Sequence, residues 1–143
     1  DLRILGEGSA FGQPEVLLGI IPGGGATQRL TRLVGRSTAK RMIWGGAPVK
    51  AAEALSLGLA DEVVADDEIL DRACAVAATY AAGPRLAIRA AKRAIDEGVD
   101  LSLADGVDLE LELFLEVFES DDAREGVASF FEHGPGKARF TGT

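Results

Sequence analysis

Phe11-Gly-Gln-Pro-Glu-Val-Leu-Leu-Gly-Ile-Ile-Pro-Gly-Gly-Gly-Ala-Thr-Gln-Arg-Leu30 is the stretch on which the reading of this chain turns. It sets one carboxylate, Glu15, directly after a proline and in front of the apolar run Val16-Leu17-Leu18. Pro14 fixes the local backbone and biases Gln13 towards extended geometry, so Glu15 stands at the edge of a turn. Seven residues past Glu15 come Pro22 and then three glycines, after which Thr27-Gln-Arg-Leu30 opens a helical pattern. A glycine run before a helix leaves backbone N–H groups exposed and aimed at whatever lies in front of the helix. A carboxylate and a set of donors are thus close in sequence, as a reactive site requires.

Taken singly, each feature has an ordinary explanation. Pro-Gly-Gly-Gly is a flexible turn, and a glutamate after proline is surface charge. The run is not a phosphate loop, because Ala26-Thr27-Gln28 stands where Gly-Lys-Ser/Thr would follow, and no Gly-x-Gly-x-x-Gly spacing marks a dinucleotide site. Composition narrows the classes further. A chain of 143 residues, 47% of them hydrophobic, can bury one core. Its net charge of −8 speaks against nucleic-acid binding, and no apolar run reaches membrane-spanning length. The one cysteine, Cys74, excludes an internal disulfide and fits a reducing, cytoplasmic setting. His133 is the only histidine, and with no second cluster of ligand-type residues no metal is expected. Charge is uneven: residues 96–125 hold twelve of the 23 acids and a single base, Arg124.

Outward from the central stretch, Leu2, Ile4 and Leu5 read as a strand. Because residue 1 is Asp and a strand begins at once, the chain is expected to open inside a larger fold. Leu30, Leu33 and Val34 follow helical spacing with Gly35 as the stop. Ser37 caps the next helix, which runs to Trp44 and ends at Gly45-Gly46, with Trp44 expected in the core beside Met42 and Ile43. Ala51 to Leu57 is helical with Gly58 beyond its end, and Ala60 to Val64 is a short strand carrying Asp61 and Glu62 as solvated or capping charges. Asp66 or Asp67 caps a helix whose apolar face is Ile69, Ala73, Val76, Ala77 and Tyr80, with Cys74 expected to be packed inside. Pro84 starts a helix bearing the stripe Arg85, Arg89, Lys92 and Arg93, which is either a solvated face or a surface turned towards phosphates. Residues 107–118 satisfy both periods: Val107, Leu109, Leu111, Leu113, Leu115 and Val117 alternate, while Val107, Leu111, Phe114, Leu115 and Phe118 share a helical face. Leu and Glu dominate and β-branched residues are few, so a helix is predicted, with Ser102 and Asp105 placed as a capping box. Such a helix needs cover on more than one side, and another subunit is expected to supply it. A last helix from Asp121 to Phe131 and a polar tail complete the chain.

Read as one pattern, Phe-Gly-x-Pro-Glu followed by Gly-Ile-Ile-Pro-Gly-Gly-Gly-Ala-Thr-Gln-Arg-Leu closely resembles the enoyl-CoA hydratase/isomerase (crotonase) superfamily. The likeness continues through Ala51-Ala-Glu-Ala-Leu-Ser-Leu-Gly-Leu-Ala-Asp-Glu-Val-Val64, Pro84 to Lys92, and Ser120-Asp-Asp-Ala-Arg-Glu-Gly126 to Phe131. It implies an α/β fold: the C-terminal part of a crotonase-type ββα spiral, then a helical trimerisation region. On this reading residues 1–65 are the end of the spiral core, with the active-site segment at 11–30, and residues 66–143 are the helical, oligomerising part. The family's N-terminal half, with both oxyanion-hole donors and the other catalytic glutamate, lies outside this chain and is an expected partner. The tail Glu132-His-Gly-Pro-Gly-Lys-Ala-Arg-Phe140 departs from the family, which places basic residues where His133-Gly134 stands.

The resemblance also implies the chemistry. Family hydratases hold the thioester carbonyl oxygen with two backbone N–H groups and share a water between two glutamates, one taking its proton and one supplying a proton to the substrate α-carbon. Glu15 matches the second glutamate, and Gly23 the position whose backbone N–H helps to hold the water. Pro14, Leu17, Pro22, Arg89, Lys92 and Arg93 are the expected substrate contacts, and coenzyme A enters as part of the substrate, with no separate cofactor. The expected activity is hydration of the 2,3 double bond of an enoyl-CoA thioester in fatty-acid metabolism (β-oxidation), by a homotrimer or a dimer of trimers. The alternatives are Δ-isomerisation of an enoyl-CoA, or a non-catalytic subunit kept for assembly.

Overall fold

The computed structural model describes residues 1–143, which form two compact units, Asp1–Cys74 and Ala75–Thr143. In the first, β1 (Ile4–Gly6) and β4 (Glu62–Val64) pair in parallel, with Ile4 opposite Glu62, Leu5 opposite Val63 and Gly6 opposite Val64. A second ribbon pairs β2 (Ala10–Phe11) with β3 (Val49–Lys50), antiparallel. Leucine 2 lies ahead of β1, and the strand predicted over residues 60–64 begins at Glu62.

Glycine sets the helix limits where the sequence predicts them. Helix α1 (Ala26–Gly45) is interrupted at Gly35, whose φ of 78° and ψ of 162° break the hydrogen-bonded ladder, and it closes on Gly46 at φ 63°. Helix α2 (Ala51–Ser56) is followed by Gly58, also left-handed. Between these elements the core gathers Leu30, Ala39, Met42, Ile43, Val49, Ala54, Leu59 and Ala60, with Leu5, Phe11, Val16 and Val63 packed against it.

Trp44 does not join that core: it is 70% exposed, while Met42 and Ile43 are buried. One further residue turns a helix by about 100°, which carries position 44 off the buried face. Lys40, one turn earlier on the outer side, sets its ammonium 5.5 Å from the indole centre. Cys74 is likewise exposed rather than packed inside. It lies on α3 (Ile69–Ala81), which buries no residue fully; Ile69, Ala73 and Val76 are half-buried, and Cys74, Ala77 and Tyr80 fall outside that stripe.

The second unit is helical. Helices α4 (Arg85–Gly98) and α5 (Leu103–Phe118) pack as a hairpin, and α6 (Asp121–His133) follows. Their approach is close where glycine meets glycine: a β-carbon on Gly106 would lie 3.3 Å from the Gly98 carbonyl oxygen. The strand-or-helix conflict over 107–118 resolves as helix. Ser102 caps it, accepting the Asp105 N–H at 3.2 Å, but the box is one-sided, because the Asp105 carboxylate accepts a hydrogen bond from the Ser102 hydroxyl at 2.6 Å instead of reaching the Ser102 N–H. Ser120 caps α6 in the same way through the Ala123 N–H at 3.1 Å. Only Leu113 of α5 is buried within the chain. No helix is long and apolar enough to cross a membrane.

Candidate active site

Residues 11–30 leave β2, pass through Gly12-Gln13-Pro14 and enter a single 3₁₀ turn, Glu15–Leu18. Pro14 sits at its N-cap, and its carbonyl accepts the Leu17 N–H at 2.9 Å. Gly19, at φ 75°, ends the turn; its N–H reaches the Val16 carbonyl at 3.0 Å, and the Ile20 N–H reaches the Glu15 carbonyl at 3.3 Å. The turn is thus closed at both ends by backbone bonds. Its three-residue period sends one side chain in three inward. Val16 packs on the core, whereas Leu17 and Leu18 are 70% and 77% exposed, so the apolar run does not form a closed wall around Glu15 within this chain. Leu17 still has a firm seat, since a β-carbon on Gly46 would lie 2.9 Å from its Cγ.

Glu15 is the chemically unusual member. It is half-buried, and its Oε2 is enclosed without a hydrogen-bond partner. Buried polar atoms are nearly always paired, so an enclosed carboxylate oxygen without a partner is an exception to the usual rule. Leu17, Leu18, Ile20 and Ile21 leave an apolar surface along the same short segment.

Pro22 is buried, and Gly23 and Gly24 beside it are exposed. A β-carbon at either glycine would meet nothing within 4 Å, so the backbone there faces open space. Gly25 is the N-cap of α1, at φ 93°, and no side chain caps it. Arg29, absent from the expected set, folds its guanidinium back to within 3.4 Å of a β-carbon position on Gly25.

The basic stripe lies on α4 in the second unit. Lys92 reaches Asp96 at 2.7 Å and Arg93 reaches Glu97 at 3.1 Å, both one turn along the helix. The Glu97 hydrogen bond, then its charge, raise the Arg93 pKa, with Glu116 and Glu112 of α5 adding to it. Arg89 and Arg93 border a crevice with Leu113, Glu116 and Val117. Arg85 points elsewhere, donating from Nη2 to the Thr141 carbonyl at 2.7 Å.

Of the two acids expected to be solvated or capping, Asp61 is exposed and Glu62 half-buried, and both also carry partners. Asp61 accepts the Arg3 N–H at 2.7 Å, while its own N–H returns to the Arg3 carbonyl at 2.9 Å. Glu62 pairs with Arg72 at 2.6 Å. Asp66, expected as a helix cap, accepts the Gly8 N–H at 2.9 Å. The Arg3–Asp61 and Gly8–Asp66 partners lie 58 residues apart, and no local spacing announces them.

The enoyl-CoA hydratase/isomerase family model matches residues 1–142, and the chain belongs to that family. It is 44% identical over 130 residues to a short-chain-enoyl-CoA hydratase of Clostridioides difficile, covering 91% of this chain and 84% of that protein. A short-chain-enoyl-CoA hydratase of Clostridium acetobutylicum is 39% identical over 132 residues, covering 92% of this chain and 51% of that protein. Among solved structures, an enoyl-CoA hydratase of Bacillus anthracis superposes with a TM-score of 0.90 at 35% identity, over 100% of this chain and 55% of that one. The fold is therefore of the crotonase type, and the chain spans about half the length of most of the relatives it matches.

Proposed function

We propose that this chain carries the proton-transferring glutamate of an enoyl-CoA hydratase, which adds water across the 2,3 double bond of an enoyl-CoA thioester. The observation that supports this most is Glu15, with one carboxylate oxygen enclosed and unpartnered on a turn closed at both ends. In the proposed reaction the thioester carbonyl draws electron density towards its oxygen, a water oxygen bonds to the β-carbon while a second carboxylate takes the water's proton, and protonated Glu15 supplies a proton to the α-carbon. Gly23, exposed ahead of α1, offers its backbone N–H to the water. Pro14, Leu17 and Pro22 shape the segment that faces the acyl group, and Arg89, Lys92 and Arg93 offer charge to the coenzyme A phosphates. Hydration needs a second carboxylate and the oxyanion donors, which this reading places in the rest of the protein.

The same reading gives a homo-oligomer, a trimer or a dimer of trimers, working in the cytoplasm, where a reducing setting suits the lone thiol of Cys74. Isomerisation remains the second reading because one carboxylate can shuttle a proton between carbons. Glu15→Gln in the full-length protein tests both. It keeps shape and hydrogen bonding but removes the transferable proton, and a lost general acid–base group costs ~10²–10⁴ in rate. Turnover of a crotonyl thioester should fall by that much with KM little changed; turnover near wild type would remove Glu15 from the chemistry. Parallel assay with a 3-enoyl thioester separates hydration from isomerisation.

A further inference from the structure

Nothing on the side chain of Glu15 fixes its Oε2, so its placement depends on the backbone that leads into it. That backbone enters from β2, a strand of only two residues. Three stitches hold its approach: the β2–β3 register of Ala10 with Lys50 and Phe11 with Val49, the Ala51 N–H to the Ser9 carbonyl at 3.0 Å, and Asp66 Oδ1 to the Gly8 N–H at 2.9 Å. Only the third is made by a side chain, and it joins positions 58 residues apart.

The slot for that side chain is built from glycine. A β-carbon on Gly6 would lie 2.0 Å from Asp66 Oδ1, and one on Gly8 would lie 2.7 Å from Asp66 Oδ2. Neither glycine has a left-handed backbone, so space for the carboxylate, not conformation, is what the missing side chains supply. The turn also stays in register with the parallel pair, through Glu7 N–H to the Val64 carbonyl at 2.9 Å and Ser9 N–H to the Gly6 carbonyl at 3.0 Å. Asp66 thus ties the end of β4 to the turn between β1 and β2.

Resting on the assignment of Glu15 above, we infer that Asp66 is a positioning residue for the proton transfer: its carboxylate, seated in the Gly6–Gly8 slot, sets the path of the segment that delivers Glu15. Catalysis is sensitive to such placement, since a displacement of ~1 Å at the reacting group can cost ~10²-fold.

The test uses Asp66→Ala, Asp66→Asn and Gly8→Ala in the full-length protein, with kcat and KM for a crotonyl thioester normalised to folded protein. Asn keeps an oxygen to accept the Gly8 N–H, whereas the alanine at position 8 leaves Asp66 intact but displaces its carboxylate. Asp66→Ala and Gly8→Ala should each lower kcat about tenfold with KM little changed, and Asp66→Asn should restore most of the loss. Wild-type kcat in Asp66→Ala, or an Asp66→Asn variant as slow as Asp66→Ala, overturns the inference. A loss confined to thermal stability, with kcat of the folded fraction intact, overturns it as well. If Glu15→Gln keeps full turnover, the underlying assignment fails; if Glu15→Gln is inactive and Asp66→Ala is not, the positioning role alone fails.

Discussion

Asp122 and Thr141 are joined twice: Asp122 Oδ1 accepts the Thr141 backbone N–H at 2.7 Å and its hydroxyl at 3.3 Å. Oδ2 accepts the Gly142 N–H at 2.9 Å, and the Asp122 N–H returns to the Thr143 carbonyl at 3.0 Å. The carboxylate is only 5% exposed, so these donors take the place of water around a buried charge. Phe140 completes the clasp, its ring lying 3.4 Å from a β-carbon position on Gly126.

Removing that carboxylate should release the tail. A hydrogen bond to a charged group contributes about 1.5–3 kcal/mol, so Asp122→Ala should lower stability by at least that order in chemical denaturation. Limited tryptic digestion should then cut at Lys137 and Arg139 faster than in the wild type. Equal cleavage rates would show that the clasp does not hold the tail.

The same clasp marks what local sequence can carry. Gly35, Gly46 and Gly58 end their helices where spacing predicts, because a left-handed or broken backbone is a property of one residue. The α5 conflict was decidable for a similar reason: alternation and helical spacing coexist over 107–118, and the Leu and Glu content breaks the tie. Asp122 with Thr141, Asp66 with Gly8, and Asp61 with Arg3 had no such signal, since an aspartate ahead of a helix or after a strand looks alike whether it caps, pairs or faces water. Trp44 shows the opposite failure. Its hydrophobicity argues for burial, but its place one residue past Ile43 decides where it points. At the candidate site the motif located Glu15, yet only the fold shows that one of its oxygens is enclosed without a partner.

Acid should weaken the join between the chain's first strand and β4 in a defined direction. The Arg3 backbone N–H, then its guanidinium, hold the Asp61 carboxyl below its ordinary 3.8. A group whose pKa is lower in the folded state binds protons more weakly there, so folding is favoured above 3.8 and that gain is lost as pH falls through the lower folded value. Both side chains are partly exposed, so the effect is small at physiological salt. Wild type should therefore melt above Asp61→Asn near neutral pH, with the gap closing under acid. A gap that stays constant across that range would dissociate Asp61 charge from stability.

Large apolar side chains on α5 remain uncovered within the chain: Leu111, Phe114, Leu115 and Phe118 are each more than half exposed, and the Phe114 and Phe118 rings stack at 5.4 Å. A contiguous apolar patch of this kind is covered by association in most proteins. The full-length protein should sediment as an oligomer at micromolar concentration, threefold by family resemblance, and Phe118→Glu should shift it to a smaller species with helix content retained. A wild-type monomer at that concentration would leave the patch without its expected cover.

Whether the α4 stripe serves ligand or helix can be decided at Lys92. Its ammonium lies 2.7 Å from Asp96, a pair on one exposed helix face that contributes little to stability. A phosphate bearing more charge than one carboxylate would compete for the same ammonium at little structural cost. Lys92→Glu sets two acids one turn apart and reverses the field a phosphate would meet. If the stripe faces coenzyme A, binding of the thioester should weaken, and its dependence on salt should flatten because one screened attraction has been removed. Melting temperature should move little. Unchanged affinity in a folded variant would instead assign the stripe to the i,i+4 pairs of α4, with Arg93 kept at Glu97 by the same logic.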